Sequence, residues 1–341
     1  MRSHGTLPHT PLTIPRPGSP THAKSLWFED GNIVFQAGST LYKVYRGMLC
    51  ARSTVFQDML SFPQPDHIEH YNGYPLILLY DHPKDVDAFF DALFNTTAPS
   101  TLSAFWQVKD KAHFEIVTSV LRLSNKYDVP HLRRRALQYL DDWFPKTLQE
   151  FDQYHRKTLA GQELDNFMAL SAAEICNVQW ILPVALYRCA TFPISIIFDR
   201  TRDDDAVLVA RGFQAGGFRE QLLMAHDTLA EAERADIWAP IQEHCHYEDM
   251  ECNASKLACL SSLLKHSQPL SLDAFDCWEF HGTMTPMKPQ RICERCYLVG
   301  KEEIMRHRQE LWDRIPTIFG LGQREDLDVA RSNDLADDND S

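Results

Sequence analysis

Tyr42-Lys43-Val44-Tyr45-Arg46-Gly47-Met48-Leu49-Cys50-Ala51-Arg52-Ser53-Thr54-Val55-Phe56-Gln57-Asp58-Met59-Leu60 is the stretch on which the fold turns. From Arg46 the apolar residues Met48, Leu49, Val55, Phe56, Met59 and Leu60 recur at helical spacings, and Ser53 stands where its hydroxyl caps the second of two short helices. Upstream, Ile33–Ala37 and Leu41–Tyr45 are short β-branched and aromatic runs separated by Gly38-Ser39-Thr40, the pattern of a hairpin. Downstream, Leu76–Leu79 is a continuous apolar run suited to a strand buried on both faces. Asp85–Phe94 then places Val86, Phe89, Phe90, Leu93 and Phe94 on one face of an amphipathic helix. Two further helices are expected over Phe114–Tyr127 and His131–Phe144, with Phe114, Val117 and Leu121 on one face of the first and Leu132, Ala136, Tyr139 and Leu140 on one face of the second. Pro130 and Pro145 bracket the second of them.

Hairpin, helical pair, strand, then helices is the order of the BTB/POZ domain. The stretch Leu26-Trp27-Phe28-Glu29-Asp30-Gly31-Asn32-Ile33-Val34-Phe35-Gln36-Ala37 resembles the opening strand of that family in basidiomycete (mushroom-type) fungi. In the strand–helix–helix stretch, Leu49, Ser53 and Phe56 fall on the family's leucine, serine and phenylalanine positions. Phe62-Pro63-Gln64-Pro65 and Lys126-Tyr127-Asp128-Val129-Pro130-His131-Leu132 are similar to the same fungal group. Tyr45 departs from the family's usual histidine, and a tyrosine can fill the same half-buried position. The resemblance covers residues 26–145. It implies a binding module without catalytic chemistry that dimerises or recruits a cullin scaffold of a ubiquitin ligase. The surface for this would be exposed apolar residues on Asp85–Phe94 and the adjoining His82–Lys84 loop; the alternative is that Val86, Phe89, Phe90 and Leu93 are core. Dimers of this family often exchange a strand ahead of Ile33, but the segment here is Pro-rich, which counts against a ladder.

Charge is uneven across the 341 residues, which hold 34 Lys+Arg, 47 Asp+Glu and a net −13. Glu325–Ser341 contributes seven acidic residues against Arg331 alone, so residues 325–341 read as a disordered acidic tail. Pro8, Pro11, Pro15, Pro17 and Pro20 make residues 1–25 a flexible Pro-rich leader without the pattern of a secretory signal. An acidic chain lacks the basic surface that nucleic acid or an anionic membrane requires, and Ile194–Phe198 is typical of apolar runs far short of a bilayer span. The expected place is cytoplasmic or nuclear, among protein partners.

The region 146–324 reads as mainly helical. Asn166–Cys176 and Gln179–Ala190 form a helical hairpin with Pro183 in the first turn of its second helix. Cys176 and Cys189 lie on its apolar faces, as small buried hydrophobes rather than nucleophiles. The aspartates of Arg200–Asp205 mark a solvated loop, and Phe218–Ala235 is a further helix.

Six of nine cysteines crowd toward the C-terminus. Cys245 and Cys252 make one spaced pair and Cys293 and Cys296 make a CxxC, so four thiolates can converge on one tetrahedral structural Zn²⁺; unligated thiols are the alternative. The same pairs, followed by a helix and Leu311-Trp312-Asp313-Arg314-Ile315-Pro316-Thr317-Ile318-Phe319-Gly320-Leu321, resemble the C-terminus of the fungal family. Cys259 sits in an apolar helix over Ser255–Leu264, Cys277 and His281 are candidate substitute ligands, and His244 and His246 flank Cys245 as surface groups. A zinc hydrolase or deaminase would use His246, Glu248 and the Cys293–Cys296 pair, but its signature proline is replaced by Ile292. Lys301, Arg306, Arg308 and Arg314 read as a solvated face beside Ile304, Leu311 and Trp312. The expected whole is α+β: a BTB-like adaptor domain, then a helical region with a structural zinc site, and no catalytic residues.

Overall fold

In a computed structural model that describes residues 20–62, 69–94, 114–158, 163–209, 214–232, 239–266, 275 and 292–336, the first strand, β1 (Thr21–Trp27), starts directly after Pro20. The expected leader thus includes residues that pair as a strand, and its residues 1–19 lie outside the described residues. Proline removes a ladder donor only at its own position, and the next residue already pairs, Thr21 N–H donating to the Ser39 carbonyl at 2.8 Å. β2 (Ile33–Ala37) and β3 (Thr40–Val44) form the expected hairpin around Gly38 and Ser39. Gly38 has φ of 53°, a left-handed conformation that glycine takes without strain. α1 (Arg46–Arg52) and α2 (Thr54–Ser61) are the expected helical pair, and Ser53 Oγ accepts the Phe56 N–H at 3.0 Å as the cap of the second. β4 (His70–Tyr71) and β5 (Tyr74–Leu79) complete a sheet of order β1-β3-β2-β5-β4, in which β5 runs parallel to β2. β5 is not buried on both faces, because Leu78 is 47% exposed.

α3 (Pro83–Phe94) turns Val86, Phe89, Phe90 and Leu93 fully inward, so these residues are core rather than a docking surface. Phe35 packs edge-on to Phe56 and Phe90 at 5.7 and 5.6 Å, and Tyr42 meets Phe90 at 5.5 Å. Aromatic pairs in these geometries add to the burial of large apolar surface. Tyr45 does fill a half-buried position, its ring 4.9 Å from Phe28 and its hydroxyl donating to Asp30 at 2.6 Å.

The chain divides into two compact units, Met1–Ser103 and Ala104–Ser341. The second is helical: α4 (Phe114–Lys126), α5 (Pro130–Trp143), α6 (Leu148–Thr158), α7 (Glu163–Cys176), α8 (Leu182–Ala190), α9 (Ile194–Arg200), α10 (Ala206–Val209), α11 (Arg219–Ala232), α12 (Ala239–Gln242), α13 (Met250–His266), α14 (Glu294–Ile318) and α15 (Arg324–Leu335). The molecule is thus mixed α+β, mostly helical with one small N-terminal sheet. α4 and α5, expected within the N-terminal domain, belong to the second unit, where α4 packs on α7 and α5 receives α15. Gln179–Ile181 is a 3-10 turn that leads into α8, with Pro183 in that helix's first turn. Among the described residues, no helix is long and apolar enough to cross a membrane.

Two charged residues that composition assigned to solvent are buried. Arg308 is 0% exposed. Its guanidinium grips the Asp152 carboxylate through both Nη atoms, at 2.6 and 3.3 Å, and donates to the Phe275 carbonyl at 2.8 Å. Around it Phe151, Tyr187, Phe275 and Trp312 form an aromatic core with centroids 4.6–6.0 Å apart. Arg308 lies four residues after Ile304 and four before Trp312, on the apolar stripe and not beside it. Arg331 in α15 is 4% exposed, pairs with Asp141 and donates to the Phe144 carbonyl at 3.0 Å. Asp334 accepts from Arg133 at 2.9 Å and from Trp180 Nε1 at 2.9 Å. As far as Leu335 the expected disordered tail is therefore a helix, Arg324–Leu335, positioned by these charge pairs and Leu327; residues 337–341 lie outside the described residues.

Two substitutions test these assignments. Ser53→Ala removes the cap of α2 and should lower stability by about 1 kcal/mol, read as an earlier urea midpoint; an unmoved midpoint contradicts the capping role. Asp152→Ala leaves the buried Arg308 guanidinium without its counter-ion and should cost about 3 kcal/mol. A surface-like loss of under about 0.5 kcal/mol in the same titration would contradict the burial of that pair.

Candidate metal centre

The loop between α12 and α13 closes on itself, the Glu248 N–H donating to the Cys245 carbonyl at 3.0 Å, with Glu248 at φ 55°. Asp249 then caps α13: its Oδ1 accepts the N–H groups of Glu251 at 2.9 Å and Cys252 at 3.4 Å. That cap fixes the first turn of α13 and places Cys252 in it. Forty-one residues on, Cys293 is the N-cap residue of α14, in extended conformation, and Cys296 lies in the helix's first turn. A CxxC across a helix start puts both sulfurs on one side.

These elements bring Cys245, Cys252, Cys293 and Cys296 together, with all four Sγ atoms within 4.8 Å of one another. Cys245, Cys252 and Cys296 are buried and Cys293 is half-buried. All four are free thiols, and the Cys245–Cys293 sulfur separation of 3.7 Å is far beyond a disulfide bond. Four sulfurs held ~2.3 Å from a tetrahedral ion lie about 3.8 Å apart. The Cys245–Cys293 separation matches that spacing and all four sulfurs lie close to it, so the donor set suits a metal ion; it is the one such group among the described residues.

The surroundings act on these thiols in opposite directions. Three of the sulfurs sit at the starts of α13 and α14, where the helix dipoles present positive ends. The backbone N–H of Tyr247 draws the Cys245 thiol down to about 7, against an opposing effect of burial. Burial pushes Cys252 up to about 12, although the Cys293 N–H donates to its sulfur at 3.4 Å. Packed thiols therefore do not ionise together unless a cation offsets their charge.

Beyond the sulfurs, Asn253 Oδ1 accepts the Cys245 N–H at 2.7 Å, and Lys256 donates to the Glu243 carbonyl at 3.0 Å. Sequence reading missed both contacts and the Asp249 cap, although an aspartate three residues before Cys252 is a recognisable helix-start signal. His244, His246 and Glu248 are exposed and outside the cluster. Cys277 and His281 lie outside the described residues. Cys176 and Cys189 are buried in the helical core, as expected, and burial raises the Cys176 thiol to about 11. Comparison with models of known families, with curated proteins and with solved structures finds no match to this chain.

Because Asn253 holds the backbone that carries Cys245, Asn253→Ala should weaken metal retention by about 10–100-fold. Competition against a chromophoric chelator measures this, and an unchanged apparent affinity would show that the contact does not orient the ligand.

Proposed function

We propose that this protein is a non-enzymatic adaptor for protein–protein interaction, with a BTB-like N-terminal unit and a helical C-terminal unit closed by structural zinc. The observation that carries the zinc reading is the convergence of four sulfurs, with no other ligating group among the described residues, on one site. Closed four-thiolate sets are structural, whereas catalytic zinc keeps a corner for water. The exposed positions of His246 and Glu248 give the hydrolase alternative no comparable support.

The adaptor reading is supported by the order of elements in the N-terminal unit, a hairpin, a capped helical pair, a parallel strand and an amphipathic helix around one aromatic core. The resemblance to basidiomycete BTB proteins supplies the expected partners: a second copy of the chain or a cullin scaffold. Because the apolar side of α3 is core, such contacts would have to use other surfaces of that unit.

Native mass spectrometry of the full chain, purified without added metal, should find one zinc per chain, and Cys→Ser at any of the four positions should abolish it and lower the melting temperature. Metal-free protein whose Cys293→Ser variant melts unchanged contradicts the zinc reading. Sedimentation of the same protein, alone and with a purified cullin, tests the inherited roles: a monomer indifferent to the cullin removes both.

A further inference from the structure

Among the described side chains of helix α13, an apolar stripe faces outward. Met250, Ala254, Leu257, Ala258 and Ser261 all face solvent, with Met250 84% and Leu257 64% exposed, while Ser255 and Lys256 are buried. Those positions follow the i, i+4, i+7, i+8, i+11 spacing of one helical stripe, about 16 Å long at 1.5 Å per residue. A surface helix ordinarily turns such a stripe to the core and its lysine to water. Alanines at 254 and 258 would let a second backbone approach closely between the two larger side chains.

The flank of this stripe is strongly acidic. From Gln242 to Glu251 the chain holds Glu243, Glu248, Asp249 and Glu251 and no lysine or arginine. The centre adds to this, since a divalent ion on four thiolates carries a net −2. Of the described cations here, Lys256 is turned inward onto the Glu243 carbonyl, and Arg295 lies over the Tyr247 ring at 5.8 Å. Nucleic acid and anionic membrane are repelled by this surface, and a second copy of an acidic chain would bring like charge to it.

We infer that the outward stripe of α13, beside the acidic loop of the metal centre, docks a basic amphipathic helix of a partner protein. The partner's apolar face would lie along Met250 and Leu257, and its lysines or arginines would meet Glu243, Glu248 and Glu251. The inference deepens the adaptor reading and rests on the zinc reading only for part of its charge.

The test is fluorescence anisotropy of the full chain with a labelled helical peptide of leucine and lysine, roughly five turns long, against its leucine–glutamate counterpart. The lysine peptide should bind about tenfold or more tightly than the glutamate one and weaken severalfold between about 0.05 and 0.3 M salt. The double variant Met250→Ser, Leu257→Ser should lose about tenfold in affinity, with zinc content and melting temperature unchanged. Equal binding of the two peptides, binding indifferent to the double variant, or no binding overturns the inference. So does a wild-type dimer that the double variant converts to monomer, because a second copy would then cover the face. Zinc content measured on each sample separates the claims: a zinc-loaded chain that binds neither peptide sinks the docking alone. A zinc-free chain that binds the lysine peptide sinks the zinc reading alone.

Discussion

Four sulfur atoms within 4.8 Å of one another are the constraint on which the C-terminal part of this molecule depends. Around them the local core consists of Cys245, Cys252 and Cys296, with Ile292 and Cys293 packed against it. Among the described residues that cluster offers one isoleucine beside its thiols, while each ordered residue costs about 1–2 kcal/mol in backbone entropy. An ion held by these four sulfurs, as proposed, would tie the α12–α13 loop to the start of α14. The contacts around the cluster, from the Asp249 cap to the Asn253 amide, set its geometry rather than its strength.

What the centre fixes at one end, α14 carries to the rest of its unit. The helix begins at Cys293 and four turns later delivers Arg308 and Trp312 into the aromatic core. Its far end is closed with similar economy: Gly320 at φ 66° donates to the Thr317 carbonyl at 3.0 Å, and Leu321 N–H reaches the Pro316 carbonyl at 2.8 Å. Those two bonds satisfy carbonyls that the helix end would otherwise orphan. α15 follows and docks through Arg331, Asp334 and Arg324, whose guanidinium donates to the Trp312 carbonyl and stacks on its ring at 5.3 Å. Buried ion pairs of this kind add little net stability over apolar side chains of the same shape, but losing one partner is expensive.

Local signals were the legible ones. Ser53 before an apolar stripe, a glycine between two β-branched runs and a CxxC paired with a second cysteine pair all report chemistry that their immediate neighbours determine. The element order and the four clustering thiols could therefore be read from the chain. What could not be read was set by distant partners. Arg308 and Arg331 look solvated because their counter-ions Asp152 and Asp141 lie 156 and 190 residues away. The acidic tail looked featureless because its average charge hides Leu327, Arg331 and Asp334 on one face. Thr21–Trp27 was hidden by the prolines just before it, and the exposure of Leu78 depends on what the sheet leaves uncovered. The division of the chain at Ser103 follows from α4 packing on α7, a contact that periodicity in either helix does not announce.

The proposed centre has one ion held by Cys245, Cys252, Cys293 and Cys296 in a closed tetrahedron. X-ray absorption at the zinc edge of the purified full-length protein measures that shell directly. It should show four sulfur scatterers at about 2.3 Å and no nitrogen or oxygen. A mixed shell with oxygen or nitrogen, or too little zinc to give a spectrum, would contradict it.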